Sequence, residues 1–206
     1  MHVRINMLAG DPGQLDEATR YLETTVRPNV EGQHGNRGLA VLANAGLGTC
    51  VIASYWDSAD AMTASEPAVQ VSRKEVTELV KGTVTVEHYE VPAFVRRSRP
   101  AAGAGVRLTR IDGSPASLDP AIEEFRNTAV PALMEMPRLC SAQLMVDRTT
   151  GRCIVVTAFE DMGCPGREPL GSGSAACQRH GGGASHGPRC GGIQPGVQLG
   201  TRGRHP

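Results

Sequence analysis

The chain has 206 residues, 21 of them basic and 21 acidic, so its net charge near neutrality is zero. Such a balance gives no global field to draw nucleic acid or an anionic membrane surface, and neither is expected as a partner. No run approaches the 18 apolar residues of a membrane span, and the N-terminus lacks the apolar stretch of a signal peptide, so a cytoplasmic location is expected. Six scattered cysteines are too few for a disulfide scaffold of this size.

Val3–Leu8 is β-branched at alternate places and bounded by Gly10, which predicts a strand with Val3, Ile5 and Met7 on one face and Arg4 and Asn6 on the other. Asp11-Pro12 then opens a helix, the aspartate as N-cap and the proline at the first helical position. Leu15, Ala18, Leu22 and Val26 fall on one helical face, and Pro28 is expected to stop the run. Two strands, Gly38–Ala45 and Thr49–Trp56, flank a tight turn at Asn44-Ala-Gly-Leu-Gly48. A second helix begins near Asp57, is interrupted near Pro67, continues through Val69, Ser72, Val76, Leu79 and Val80, and stops at Gly82. Thr83–Val91 is the last strand of this set, with Val84, Val86 and His88 on one face and Glu87 and Tyr89 on the other. The order is βαββαβ, which gives an antiparallel sheet with two helices on one face, the ferredoxin-like arrangement.

The same grammar returns 103 residues later. Between Val3–Asp57 and Val106–Glu160, 11 of 55 aligned positions are identical, against about one in twenty by chance, so the unit is duplicated. The pair Gly48-Thr-Cys-Val-Ile-Ala-Ser-Tyr-Trp-Asp57 and Gly151-Arg-Cys-Ile-Val-Val-Thr-Ala-Phe-Glu160 shows it best, with Trp56 answered by Phe159. Repeat two supplies a strand (Val106–Ile111), a helix (Pro115–Val130) and two strands (Leu139–Asp147, Arg152–Phe159). After Met162 the plan stops. The chain therefore divides into a first unit over residues 1–96, a linker over 97–104, a partial second unit over 105–162 and a Gly/Pro/Cys-rich tail over 163–206.

That tail holds 13 of the 25 glycines, three of the six cysteines and three of the six histidines, without a single aromatic residue, and reads as disordered. Its composition is what G- and C-rich codons specify out of frame, so a frameshift near codon 162 is one explanation, tested by the coding DNA. Cys177, His180, His186 and Cys190 are a zinc-type inventory, but their spacing matches no common zinc fold and no metal site is assigned. Cys50 and Cys153 lie inside apolar strand patterns and read as buried, inert thiols.

Three stretches of the first unit carry a family resemblance: Val3-Arg-Ile-Asn-Met on the first strand, Ala53-Ser-Tyr-Trp-Asp-Ser-Ala-Asp-Ala-Met62 at the strand-to-helix corner, and Val86-Glu-His-Tyr-Glu-Val91 on the last strand. They resemble the dimeric α/β-barrel group and, within it, the antibiotic-biosynthesis-monooxygenase-like (ABM-like) domain. The resemblance implies an α+β fold in which two ferredoxin-like sheets pair into a barrel, usually across a homodimer. In a tandem chain it implies an intramolecular pseudo-dimer, with a homodimer through the incomplete second unit as a further possibility. It also implies a small hydrophobic or aromatic ligand and, in one branch, cofactor-free oxygenation of an aromatic or quinol-type substrate. The haem-degrading branch uses an asparagine on the first strand with a tryptophan and a histidine on the second helix. Asn6 meets the first requirement, but Ser65 and Ser72 stand where the other two belong, which disfavours haem breakdown; no cofactor is expected.

Cofactor-free oxygenation needs a base and donors for the anion it creates. His88 and Asn6 are the candidate catalytic residues, and Arg4, Tyr55, Trp56 and Tyr89 the candidate pocket residues. Each has a plainer reading: Trp56 as core anchor, His88 as a satisfied core histidine, Arg4 as an ion pair with a strand glutamate such as Glu90. The alternative function is a non-catalytic ligand-binding or structural pseudo-dimer.

Overall fold

The computed structural model describes residues 1–160 and the dipeptide Gln198-Leu199; the anomalous tail and its cysteine–histidine inventory otherwise lie outside the described residues. The first unit runs β1 (His2–Ala9), a 3-10 turn (Pro12–Gln14), α1 (Leu15–Tyr21), a π-helical turn (Leu22–Val26), α2 (Arg27–Glu31), β2 (Asn36–Asn44), β3 (Thr49–Trp56), α3 (Ala59–Ala64), α4 (Glu66–Leu79) and β4 (Thr83–Arg96). The second runs β5 (Gly105–Ile111), a 3-10 turn (Pro115–Ser117), α5 (Leu118–Glu124), a π-helical turn (Phe125–Ala129), α6 (Val130–Met134), β6 (Leu139–Val146) and β7 (Cys153–Phe159). The seven strands form one antiparallel sheet in the order β5-β7-β6-β4-β1-β3-β2, and Gln198–Leu199 (β8) adds two residues at the β2 edge.

β4 joins the two halves. Its first part pairs with β1 as far as Glu90 opposite His2, and its second part pairs with β6 from Glu90 opposite Val146 and, past a bulge, from Ala93 opposite Leu144. The register shifts between Glu90 and Ala93, and Pro92 sits in that shift, where a residue without an N–H costs the ladder nothing. The strand therefore runs five residues past the predicted Val91.

The sheet separates three apolar clusters. The helix-facing side of the first unit packs Leu15, Leu22, Val26, Cys50, Ile52, Trp56, Val69 and Val76 together. The opposite side packs Val3, Ile5, Tyr89 and Val91 against Val106, Met145, Ile154 and Val156 of the second unit, forming the interior of the half-closed barrel. Leu118, Ile122 and Phe125 cover part of the second unit's other face. The two faces of β1 thus go where alternation predicts.

Three local predictions need correction. Pro28 and Pro131 do not end their helices, which continue to Glu31 and Met134. Each proline follows a π turn, whose bonds reach one residue further back, as in Arg27 N–H to Leu22 O, so the missing proline N–H falls where the helical ladder is already re-registered. The second helix is capped by Ser58, whose Oγ accepts from Ala61 N at 3.0 Å, rather than by Asp57. Gly82 is not the left-handed stop either: Lys81 takes that conformation with φ 50°, and Gly82 is required because a Cβ there would lie 2.0 Å from Ala9 O.

Across the barrel interior, Gln143 Nε2 donates to Tyr55 Oη at 2.7 Å, while Gln143 Oε1 has no partner among the described residues. Tyr55→Phe would leave the whole Gln143 amide without a side-chain partner. The expected cost is about 1–2 kcal/mol in chemical denaturation, with the midpoint shifted and the slope unchanged.

Candidate functional site

The register of β1 divides the predicted residues between two faces. Arg4 lies opposite His88 and Ser54, and Asn6 opposite Val86 and Ile52, so these side chains face the helices. Val3 lies opposite Tyr89 and Tyr55, so both tyrosines face the barrel interior. Arg4, Asn6 and His88 therefore share a face, and Tyr55 and Tyr89 stand on the other side of the sheet from them. Trp56 is fully buried in the helix-side core, its Nε1 donating to Ser54 Oγ at 3.0 Å.

A cavity of about 40 Å³ opens between the sheet and the helices of the first unit. Its apolar walls come from the π turn, α2, β2, β3, α4 and β4, among them Leu22, Val26, Val30, Leu39, Val69 and Val76. Its polar end is Arg4 and Asn6 from β1, Arg73 and Ser72 from α4, and Ser54 from β3. Trp56 and His88 do not line it.

A network built on Glu66 closes that end. Arg73 donates Nη1 to Glu66 Oε1 at 2.6 Å and Nε to Asn6 Oδ1 at 2.9 Å. Arg4 Nη2 lies 3.1 Å from Glu66 Oε2, its Nη1 donates to Ser65 Oγ at 3.1 Å, and Nη2 also donates to the Met62 carbonyl. The ion pair of Arg4 is thus with Glu66 at the start of α4, not with Glu90. Glu90 sits opposite His2, two residues further along β4 than His88, and pairs with Arg148 at 2.6 Å. Two guanidiniums share one carboxylate, leaving one unit of positive charge at the apolar cavity. With Oδ1 engaged by Arg73, Asn6 offers its amide N–H groups as donors.

The electrostatics follow from this packing. Burial lowers the Arg4 pKa, with Glu66 opposing and Arg73 reinforcing, but an arginine stays charged. The hydrogen bond from Arg73, then the charge of Arg4, holds the Glu66 carboxyl below its ordinary range. His88 is exposed beside this group; desolvation of its inner edge and the Arg4 charge lower its pKa, against Glu66, so it is neutral at pH 7. On the barrel face, burial and the acceptor Glu87 push Tyr89 up to about 12. Tyr89 lines a second cavity of about 210 Å³ with Arg110, Asp112 and Arg152, and there each cation has its own anion: Arg110 with Glu87 at 3.1 Å, Arg152 with Asp112 at 3.6 Å. Burial pushes the Cys50 thiol up to about 12 and raises that of Cys153, so neither is a nucleophile at neutral pH.

Among the described residues no three His, Cys, Asp or Glu side chains gather to hold a metal ion, and no helix is long and apolar enough to cross a membrane. Ser65 and Ser72, which the sequence reading set against the tryptophan and histidine of the haem-degrading branch, are buried; Ser65 Oγ donates to Met62 O at 2.7 Å.

Glu66 and Arg73 escaped the sequence reading. The signal was present: residues 66, 69, 73, 76 and 80 fall at core-facing helical spacing, and charges at two of those five places mark a polar group inside the packing.

Residues 1–71 match the family described as antibiotic biosynthesis monooxygenase, ABM. Two uncharacterized proteins of Mycobacterium tuberculosis are similar: Rv2557 is 33% identical over 146 residues, covering 71% of this chain and 65% of the relative. Rv2558 is 27% identical over 164 residues, covering 79% and 69%. The chain spans 65% of the length of the first of these relatives. Among solved structures, a candidate monooxygenase of Lactobacillus acidophilus superimposes with a TM-score of 0.58 at 11% identity, over 78% of this chain and 77% of that one. An anthrone oxidase-like protein gives 0.58 at 10% identity, over 96% and 89%. At such identities the likeness is one of fold.

Proposed function

We propose that the first unit of this chain, whose residues 1–71 match the antibiotic-biosynthesis-monooxygenase family, binds a small aromatic or quinol-type compound between its sheet and helices and oxygenates it without a cofactor. One observation carries the reading: Arg4, Arg73 and Asn6 converge, with an excess positive charge, on one end of an otherwise apolar cavity. An apolar pocket with few convergent polar groups is the ordinary form of a small-molecule site. In the reaction, a CH2 flanked by arenes and conjugated through them with a ring ketone loses a proton, the negative charge delocalised onto the ketone oxygen is met by the Asn6 amide and Arg73, and the carbanion carbon passes electrons to O2. The CH2 becomes C=O; one oxygen atom enters the product, the other leaves as water with the two hydrogens, and the substrate supplies all four electrons. His88, outside the cavity and exposed, its pKa lowered by desolvation, would accept the first proton through solvent.

The second reading, a binding protein without turnover, is favoured by one specific fact: no side chain lining the cavity is a base at neutral pH. The cavity is also smaller than any aromatic ligand, so its apolar wall must part on binding. Anthrone is a suitable probe for both, supported by the anthrone oxidase-like fold neighbour. Oxygen uptake with release of anthraquinone, lost in Asn6→Ala and His88→Ala variants that keep their melting temperature, is the expected outcome. A ligand-dependent thermal shift without oxygen uptake would select the binding protein, and neither response would overturn both.

A further inference from the structure

We infer that this cavity takes a carboxylate, with Arg4, Arg73 and Asn6 as its donors and Glu66 as the built-in anion that the ligand displaces. The inference rests on the cavity of the first unit being the ligand site. Arg4 is 1% exposed, and its Nε has no hydrogen-bond partner among the described residues. An unpaired guanidinium N–H in a packed core calls for an acceptor. Arg4 lines the cavity, whose volume of about 40 Å³ has room for a carboxylate group or for one or two waters, but not for a ring.

The rest of the donor set fits the same head. Asn6 Oδ1 is already engaged, so its N–H groups face outward as donors, and Arg73 holds Glu66 through a fork at 2.6 and 3.3 Å. A carboxylate has two oxygens, one for Arg4 Nε and one for Asn6 or Arg73, whereas a phenolate has one. Planar, bidentate recognition of a carboxylate is what guanidinium geometry serves best.

Glu66 is the internal competitor. It stands in the first turn of α4, next to the break at Ser65 that separates α3 from α4, and is 39% exposed. Its side chain can therefore rotate to solvent when another carboxylate takes its place between the two arginines. The aromatic body would lie along Leu22 and Val26, both on the π turn, where widened hydrogen bonds make the wall the most adaptable part of the helix.

Titration calorimetry of the full chain with benzoate and benzamide tests this. Benzoate is expected to bind about tenfold more tightly than benzamide, an isosteric neutral. Glu66→Gln should tighten benzoate several-fold and leave benzamide unchanged, because it removes the competing anion. Arg73→Gln should weaken benzoate about tenfold, while Lys74→Gln on the exposed side of α4 should change nothing. If Glu66→Gln fails to fold, Glu66→Asp, which draws the carboxylate back from both arginines, should tighten benzoate in the same direction. Equal affinity for benzoate and benzamide would overturn the carboxylate inference and leave the site reading standing. Binding of neither would overturn both. Benzoate affinity indifferent to Glu66 would overturn the displacement.

Discussion

Trp56→Ala is expected to cost about 3–5 kcal/mol of stability, enough to leave much of a chain of ordinary stability unfolded. Trp56 is the largest fully buried side chain, standing where β3 turns into the α3 helix, and it packs in the same cluster as Leu15, Met62, Val69 and Val76. Removing it opens a void in the middle of that cluster. The Arg4 guanidinium, 5.7 Å from the indole centroid, would lose the ring that covers it, and Ser54 Oγ its donor. Trp56→Phe should cost only about 1–2 kcal/mol, because the second unit fills the equivalent corner with Phe159. Urea melts of the two variants check this. A catalytic or ligand-contacting tryptophan would instead lose binding in Trp56→Phe at little cost in stability. The cavity is lined without Trp56, so anthrone or benzoate affinity should survive that substitution.

The contrast between Trp56 and Arg73 shows where the sequence was legible. Alternation in Val3–Leu8 placed Arg4 and Asn6 on one face and Val3 and Ile5 on the other, because period two leaves no freedom once one face is buried. Duplication identified both units, since each copy writes the same cap, face and corner. The two π turns were hidden because a proline at a helical position reads as a stop unless the widened turn before it is known, and no residue type announces that turn. The extension of β4 to Arg96 was hidden because its partner β6 lies some fifty residues away, and strand pairing at that range leaves no local pattern. Tyr55 and Tyr89 were grouped with Asn6 and His88 as residues of one pocket, yet strand parity alone, applied across β1, β3 and β4 together, separates them. Arg73 and Glu66 were overlooked because charges on a helix are usually solvated; their phase, not their type, places them inside.

Arg4→Met is expected to separate fold from ligand recognition. The methionine nearly fills the stem's volume and relieves the desolvation of a buried charge, which acts in favour of the variant. Against it, Ser65 Oγ and the Met62 carbonyl lose a charged donor, and Glu66 keeps only Arg73. Ser65 still donates to Met62 O and Glu66 is partly solvated, so no group is left buried and wholly alone. The balance should be a loss of about 1–3 kcal/mol, less than for Trp56→Ala, with the variant folded at 25 °C. Its effect on the site is larger. The charge excess disappears, since one guanidinium then faces one carboxylate, and so does the unpaired N–H; benzoate binding should fall by well over tenfold. Arg4→Lys keeps the charge, but a single ammonium cannot fork between Ser65, Met62 and Glu66 and still reach into the cavity, so it should recover stability more than affinity. Adding Glu66→Gln to Arg4→Met restores the single positive charge of the parent through Arg73 alone. If affinity returns with it, net charge governs the site; if it does not, the geometry of the Arg4 fork does, which is the outcome expected from a buried guanidinium already held on two sides by α3 and α4.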